Sequence, residues 1–144
     1  MEYRARIADK LLERKLRGKG AVLITGAKWC GKTTTAEQVA KSVIYMDDPK
    51  LKSTYLSLAE IGIEQLLEGD TPHLIDEWQL APQLWDAIRY EVDHREALGQ
   101  FILTGSAVPA DVSKIDHSGT GRFARLTMRL SLIHISEPTR RYAI

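Results

Sequence analysis

The sequence predicts an α/β fold in which a mainly parallel sheet is flanked by helices, and three observations carry that prediction. Short apolar runs at Ala21-Val22-Leu23-Ile24-Thr25, Val43-Ile44-Tyr45-Met46, His73-Leu74-Ile75 and Phe101-Ile102-Leu103-Thr104 alternate with segments of helical spacing. Residues Gly26 to Thr33 spell GxxxxGK[ST] between the first run and a helix-compatible segment. The third run ends in two acids, Asp76-Glu77.

At the N-terminus, Ile7, Leu11, Leu12 and Leu16 lie at helical spacing, while Arg4, Arg6, Lys10, Arg14, Lys15, Arg17 and Lys19 occupy much of the remaining surface. This predicts a basic amphipathic helix over residues 1–19 that packs its stripe on the core, with Glu2, Asp9 and Glu13 offsetting the charge. Contact with nucleic acid or a partner is the competing reading. Gly18 and Gly20 end the helix and release the chain into the first strand.

Thr34 to Lys41 is helix-compatible, with Ala36, Val39 and Ala40 apolar, and Val43–Met46 follows as a short strand closed by the turn Asp47-Asp48-Pro49. Leu51 to Leu67 reads as helix in two pieces broken near Gly62. Gly69-Asp70-Thr71-Pro72 is the turn before the strand that ends in Asp76-Glu77. Pro82 to His94 is amphipathic, with Leu84, Trp85, Ile88 and Val92 on one face, so Trp78 and Trp85 are expected to pack rather than to stack on bases. Phe101–Thr104 reads as another buried strand, and Phe123 to Leu132 alternates partly as a last one.

The 144 residues, 44% of them apolar, suffice for one domain with a substantial core. A net charge of +1 gives no overall attraction to nucleic acid or an anionic membrane. One cysteine excludes an intramolecular disulfide, and the histidines and cysteine lack zinc-ligand spacing. With no signal peptide or spanning segment in the sequence, a cytoplasmic location is expected.

The chemistry begins at the glycine-rich loop. Its glycines let backbone N–H groups curl around a polyphosphate, so Gly26, Ala27, Lys28, Trp29, Cys30, Gly31, Lys32, Thr33 and Thr34 are the expected nucleotide-binding residues. Lys32 can reach the β- and γ-phosphates, the Thr33 hydroxyl can ligate Mg²⁺, and the following helix adds the positive end of its dipole. This is the P-loop, or Walker A, pattern of nucleotide-hydrolysing proteins. The apolar run before Asp76-Glu77 fits the companion Walker B role: Asp76 on the magnesium ion and Glu77 as the general base that polarises water.

The strand Phe101–Thr104 ends in Thr104-Gly105-Ser106, where a hydroxyl facing the γ-phosphate and an ordinary strand end with a turn are the two competing readings. The stretch His117-Ser118-Gly119-Thr120-Gly121-Arg122 delivers Arg122, with Arg125 behind it, as a candidate for stabilising transferred charge; an exposed loop arginine is the alternative. Cys30 reads as a tolerated filler rather than a redox centre. Ser113-Lys114-Ile115-Asp116 has a guanine-reading outline in the wrong setting, and Asp76-Glu77-Trp78-Gln79 lacks the glycine of a GTPase switch. No acceptor motif favours a small-molecule kinase.

Thr25 to Thr34, Leu74-Ile75-Asp76-Glu77-Trp78-Gln79 and Phe101 to Ala107 together resemble prokaryotic AAA-superfamily ATPases whose N-terminal P-loop domain precedes a C-terminal domain of unknown function. The likeness runs through Gly121-Arg122 and Ala124-Arg125-Leu126 to about Arg129. It implies a parallel sheet with helices on both faces, and an AAA-like order that puts the Thr104 strand between the phosphate-loop strand and the Asp76 strand. Thr104 or Ser106 would then be a sensor beside the nucleotide. The resemblance also implies ATP rather than GTP, and homo-oligomers in which one subunit completes another's site.

Residues Leu130 to Ile144 depart from that family and resemble translated sequencing-adapter read-through, so the expected organisation is helix 1–19, ATPase core 20–129 and a non-native tail 130–144, with the fold incomplete at its C-terminus. The expected activity is Mg-dependent ATP binding and hydrolysis. The alternative is a nucleotide-dependent switch with little turnover, acting on a protein or nucleic-acid client through a missing C-terminal domain, and no membrane partner is expected.

Overall fold

The structure, a computed structural model, describes residues 2–26, 31–105 and 122–128, with side chains from residue 7 onward. Helix α1 (Glu2–Gly18) precedes strand β1 (Ala21–Gly26), helix α2 (Lys32–Glu37), strand β2 (Ser42–Tyr45) and helix α3 (Lys52–Ile61). A 3₁₀ turn at Ile63–Leu67 leads to β3 (His73–Asp76), and a second at Trp78–Leu80 leads to α4 (Leu84–Arg95), β4 (Phe101–Gly105) and β5 (Phe123–Met128).

The strands form one sheet in the order β2-β3-β4-β1-β5, and all its pairings are parallel. β4 therefore lies between β1 and β3, the arrangement that the family resemblance implies. The register aligns the chemistry. Asp76 pairs with Thr104 across β3 and β4, Thr25 with Gly105 across β1 and β4, and Tyr45 with Asp76 across β2 and β3. The carboxyl ends of four strands thus meet at one edge, where open parallel sheets bind ligands.

Side-chain alternation along each strand builds a core on either face. Ala21, Leu23, Ile75, Phe101 and Leu103 point to one face and pack with Leu84, Trp85, Ile88 and Val92 of α4 and with Leu66 and Leu67. Trp78, Trp85 and Phe123 form an aromatic chain there, with ring centroids 5.6 Å and 4.8 Å apart, so both tryptophans serve packing. Val22, Ile24, Leu74, Ile102, Ala124 and Leu126 point the other way, under Ala36 of α2 and Ala8, Leu12 and Leu16 of α1. The N-terminal helix accordingly buries its apolar stripe and leaves Lys10, Arg14 and Arg17 in solvent.

Several boundaries differ from the sequence expectation. α2 starts at Lys32 and ends at Glu37, because Gln38 and Val39 switch to bonds three residues back and Lys41 N–H turns to the Pro72 carbonyl at 2.8 Å. β2 begins one residue early, at Ser42, and α4 runs Leu84–Arg95. The break near Gly62 stands where expected, between α3 and the 3₁₀ turn. β5 is described to Met128; its expected extension to Leu132, and the tail after it, lie outside the described residues.

Candidate nucleotide-binding site

Gly26 and Gly31 bracket the phosphate loop, and both have positive φ, 153° and 92°. At Gly31 the backbone is left-handed immediately before α2, a conformation that other residues reach only at a cost. Ala27, Lys28, Trp29 and Cys30 lie outside the described residues. Lys32 opens α2 and is buried, Thr33 is half-buried, and Thr34 is exposed.

Asp76 is the centre of the site. Its carboxylate is buried at the end of β3, and Oδ1 accepts two hydroxyls: Thr33 Oγ1 at 2.7 Å and Thr104 Oγ1 at 2.5 Å. One oxygen thereby joins α2, β3 and β4. The sequence-predicted residues Thr33, Asp76 and Thr104 are brought together, while Ser106 lies outside the described residues.

Thr33 Oγ1 and Asp76 Oδ1 are hard oxygen donors of the kind Mg²⁺ takes, and their convergence fits an ion that uses one or two protein oxygens plus phosphate and water. Among the described residues no group of three or more His, Cys, Asp or Glu is placed to hold an ion alone.

Glu77 is not the last residue of β3, as the sequence suggests. Its backbone is left-handed (φ 58°, ψ 47°), and its N–H donates to the Thr104 carbonyl at 2.7 Å, which anchors the turn to β4. The chain then enters the 3₁₀ turn, which returns Gln79 to the Glu77 carboxylate: Gln79 Nε2 donates to Glu77 Oε1 at 2.6 Å. Sequence reasoning assigned Gln79 no role. The i, i+2 spacing signals nothing until the left-handed residue is known.

Tyr45 is a second neighbour that the sequence did not single out. From the end of β2 its hydroxyl donates to Glu37 of α2, and that bond, with burial and the nearby charges of Glu37 and Asp76, pushes the phenol up to about 12. Tyr45 thus pins the far end of α2 to the sheet beside Asp76.

Arg122 is not brought to this site. Its carbonyl accepts from the N–H groups of Gly20 and Ala21, at 2.9 Å and 3.1 Å, which places it at the amino ends of β1 and β5. Its Nε lies 3.4 Å from Asp93 of α4. The phosphate loop leaves β1 at the opposite end, about five residues and ~16 Å away at the rise of a parallel strand. The parallel register of β5 on β1 is the reason, since it fixes the residue before Phe123 next to Gly20. Arg125 sits within β5 opposite Leu23.

The geometry defines a P-loop nucleotide-binding domain, and the comparisons with known proteins place it more narrowly. The chain belongs to the AAA domain family, which matches residues 18–133. It is similar to uncharacterized proteins of Mycobacterium bovis and Mycobacterium tuberculosis, each 32% identical over 125 residues, which cover 81% of this chain and 26% of the relative. The chain spans about a quarter of the length of those relatives. Family membership carries nucleotide binding as the general property. Among the described residues no helix is long and apolar enough to cross a membrane.

Proposed function

We propose that this domain binds ATP with Mg²⁺ and hydrolyses it. The observation that carries the reading is the shared Asp76 oxygen, which ties the Thr33 hydroxyl after the phosphate loop to the Thr104 hydroxyl on the neighbouring strand. Lys32 and the loop backbone from Gly26 to Gly31 hold the phosphates; Thr33 and Asp76 are the ligands and orienting groups for the metal. Magnesium bound with the nucleotide would offset charge on the β- and γ-oxygens. Glu77 takes a proton from the water that attacks the γ-phosphorus as the bond to the bridging oxygen breaks and ADP leaves. Thr104 senses the γ-phosphate through the Asp76 oxygen that it shares with Thr33. Ser106 and Thr34 belong to the same proposed lining, and a role for Arg122 at a nucleotide requires the site of another copy. A cytoplasmic setting and a client reached through further domains complete the proposal.

Glu77→Gln tests it. Hydrolysis should fall by about 10²- to 10⁴-fold, the contribution of a positioned general base, while Mg·ATP still binds. Nucleotide binding with an already negligible rate that the substitution leaves unchanged would favour a binding switch without turnover.

A further inference from the structure

The geometry points to Gln79 as a positioning residue that holds the Glu77 carboxylate in register with the β4 end of the site, an inference that rests on the proposed role of Glu77. Three observations meet here. The Gln79 amide donates to Glu77 Oε1 at 2.6 Å, a charge-assisted bond to one carboxylate oxygen that leaves the other for a proton. The opposite orientation of the amide would set its carbonyl against the carboxylate, so chemistry fixes which end faces Glu77.

The amide also occupies a slot that exists because residue 105 has no side chain. A Cβ on Gly105 would collide with Gln79 Oε1 and would meet Gln79 Cδ and Trp78 Cδ1 at 3.2 Å each. The φ of Gly105 is not positive, so glycine here serves space rather than backbone conformation. Finally, Gln79 Oε1 is buried with no donor among the described residues, an arrangement that carries the desolvation cost of an unpaired acceptor. A half-buried glutamine would avoid that cost by turning to solvent. It is held instead by the bond to Glu77 and by the walls of Trp78 and Gly105. Glu77 is thus restrained twice, by its backbone N–H on the Thr104 carbonyl and by Gln79 on its carboxylate.

The test combines a spectroscopic reading of the bond with kinetics on the full chain. In side-chain amide NMR, the Gln79 pair, assigned by its loss in Gln79→Met, should show one downfield, slowly exchanging proton that returns to the free-amide position in Glu77→Ala. In ATP hydrolysis, Gln79→Met, which keeps length but removes the donor, should lower kcat by roughly 10- to 100-fold with KM unchanged, the effect of a misplaced catalytic group. Gly105→Ala should lower kcat similarly in the natural background and add nothing to Gln79→Ala.

An amide pair at the free position and insensitive to Glu77→Ala would overturn the inference whether or not the chain hydrolyses ATP. Additive losses for Gly105→Ala and Gln79→Ala would also overturn it, as would a kcat that Gln79→Met leaves unchanged. A bound amide in a chain that binds Mg·ATP without turning it over would instead refute the catalytic role of Glu77, and the positioning role with it.

Discussion

Thr33 donates its hydroxyl to Asp76 Oδ1 at 2.7 Å, linking the start of α2 to the end of β3 across 43 positions of sequence. Thr104 reaches the same oxygen from β4. A metal ion that drew on Thr33 would therefore be felt on both strands, which makes Asp76 the point where the two motifs become one site.

Asp76→Asn keeps an oxygen able to accept both hydroxyls and removes the negative charge. The fold should persist, and ATP should still bind without metal, while Mg²⁺ affinity in the nucleotide complex drops about 10- to 100-fold, as for loss of a group that orients a metal's ligands. Thermal shifts with Mg·ATP and with ATP plus chelator measure the difference. An equal magnesium contribution in the variant and the natural chain would contradict the assignment of Asp76.

His73 predicts a pH dependence remote from the site. Burial pushes its imidazole below the usual 6.5; the Leu66 carbonyl, 2.8 Å from Nε2, partly opposes this, and the Arg95 charge adds to it. Nε2 donates to the Leu66 carbonyl, and Nδ1 lies 2.6 Å from the Ser42 oxygen, whose hydroxyl donates to the Asp70 carbonyl. The unfolded chain therefore binds the proton more readily than the folded one. This contribution to stability is complete above pH 6.5 and is lost as pH falls through the depressed folded value. Denaturation midpoints between about pH 7.5 and 5 should fall in the natural chain and fall less steeply in His73→Gln; parallel slopes would contradict this.

Gly20 lies where α1, α4 and the start of β5 converge. A Cβ there would strike Val92 Cγ1 and meet the carbonyls of Ala97 and Arg122 at 3.4 Å. Gly20→Ala should destabilise by about 1–3 kcal/mol through overpacking, and by less in a Val92→Ala background, where the obstructing methyl is gone. Chemical denaturation of the four chains checks the coupling. Additive losses would place the strain elsewhere.

Much of this arrangement is legible in the sequence, because a strand buried on both faces must be continuously apolar. Val22 to Ile24, Leu74-Ile75 and Ile102-Leu103 mark the central strands for that reason. Motif chemistry assigns Thr33 and Asp76 to one metal ion, although not the direct bond between them, and the 3.6-residue spacing marks the buried face of α4. What was not legible depends on partners distant in sequence. α2 stops early because Pro72 takes the Lys41 N–H, and Arg122 is drawn from the site because β5 pairs with β1 from Phe123 onward. Gln79 stayed hidden because its contact depends on a left-handed Glu77 and a bare Gly105 at once.

Whether the residues around Asp76 form a phosphate and metal site is read from the melting temperature of the chain with and without Mg·ATP, with Mg·GTP and Lys32→Ala alongside. Ligand at ~100 times its dissociation constant should add about 2.7 kcal/mol of stability. If that site is formed, the midpoint rises more with Mg·ATP than with Mg·GTP, and the rise vanishes in Lys32→Ala. A cooperatively melting chain whose midpoint Mg·ATP leaves unchanged would contradict the site's formation.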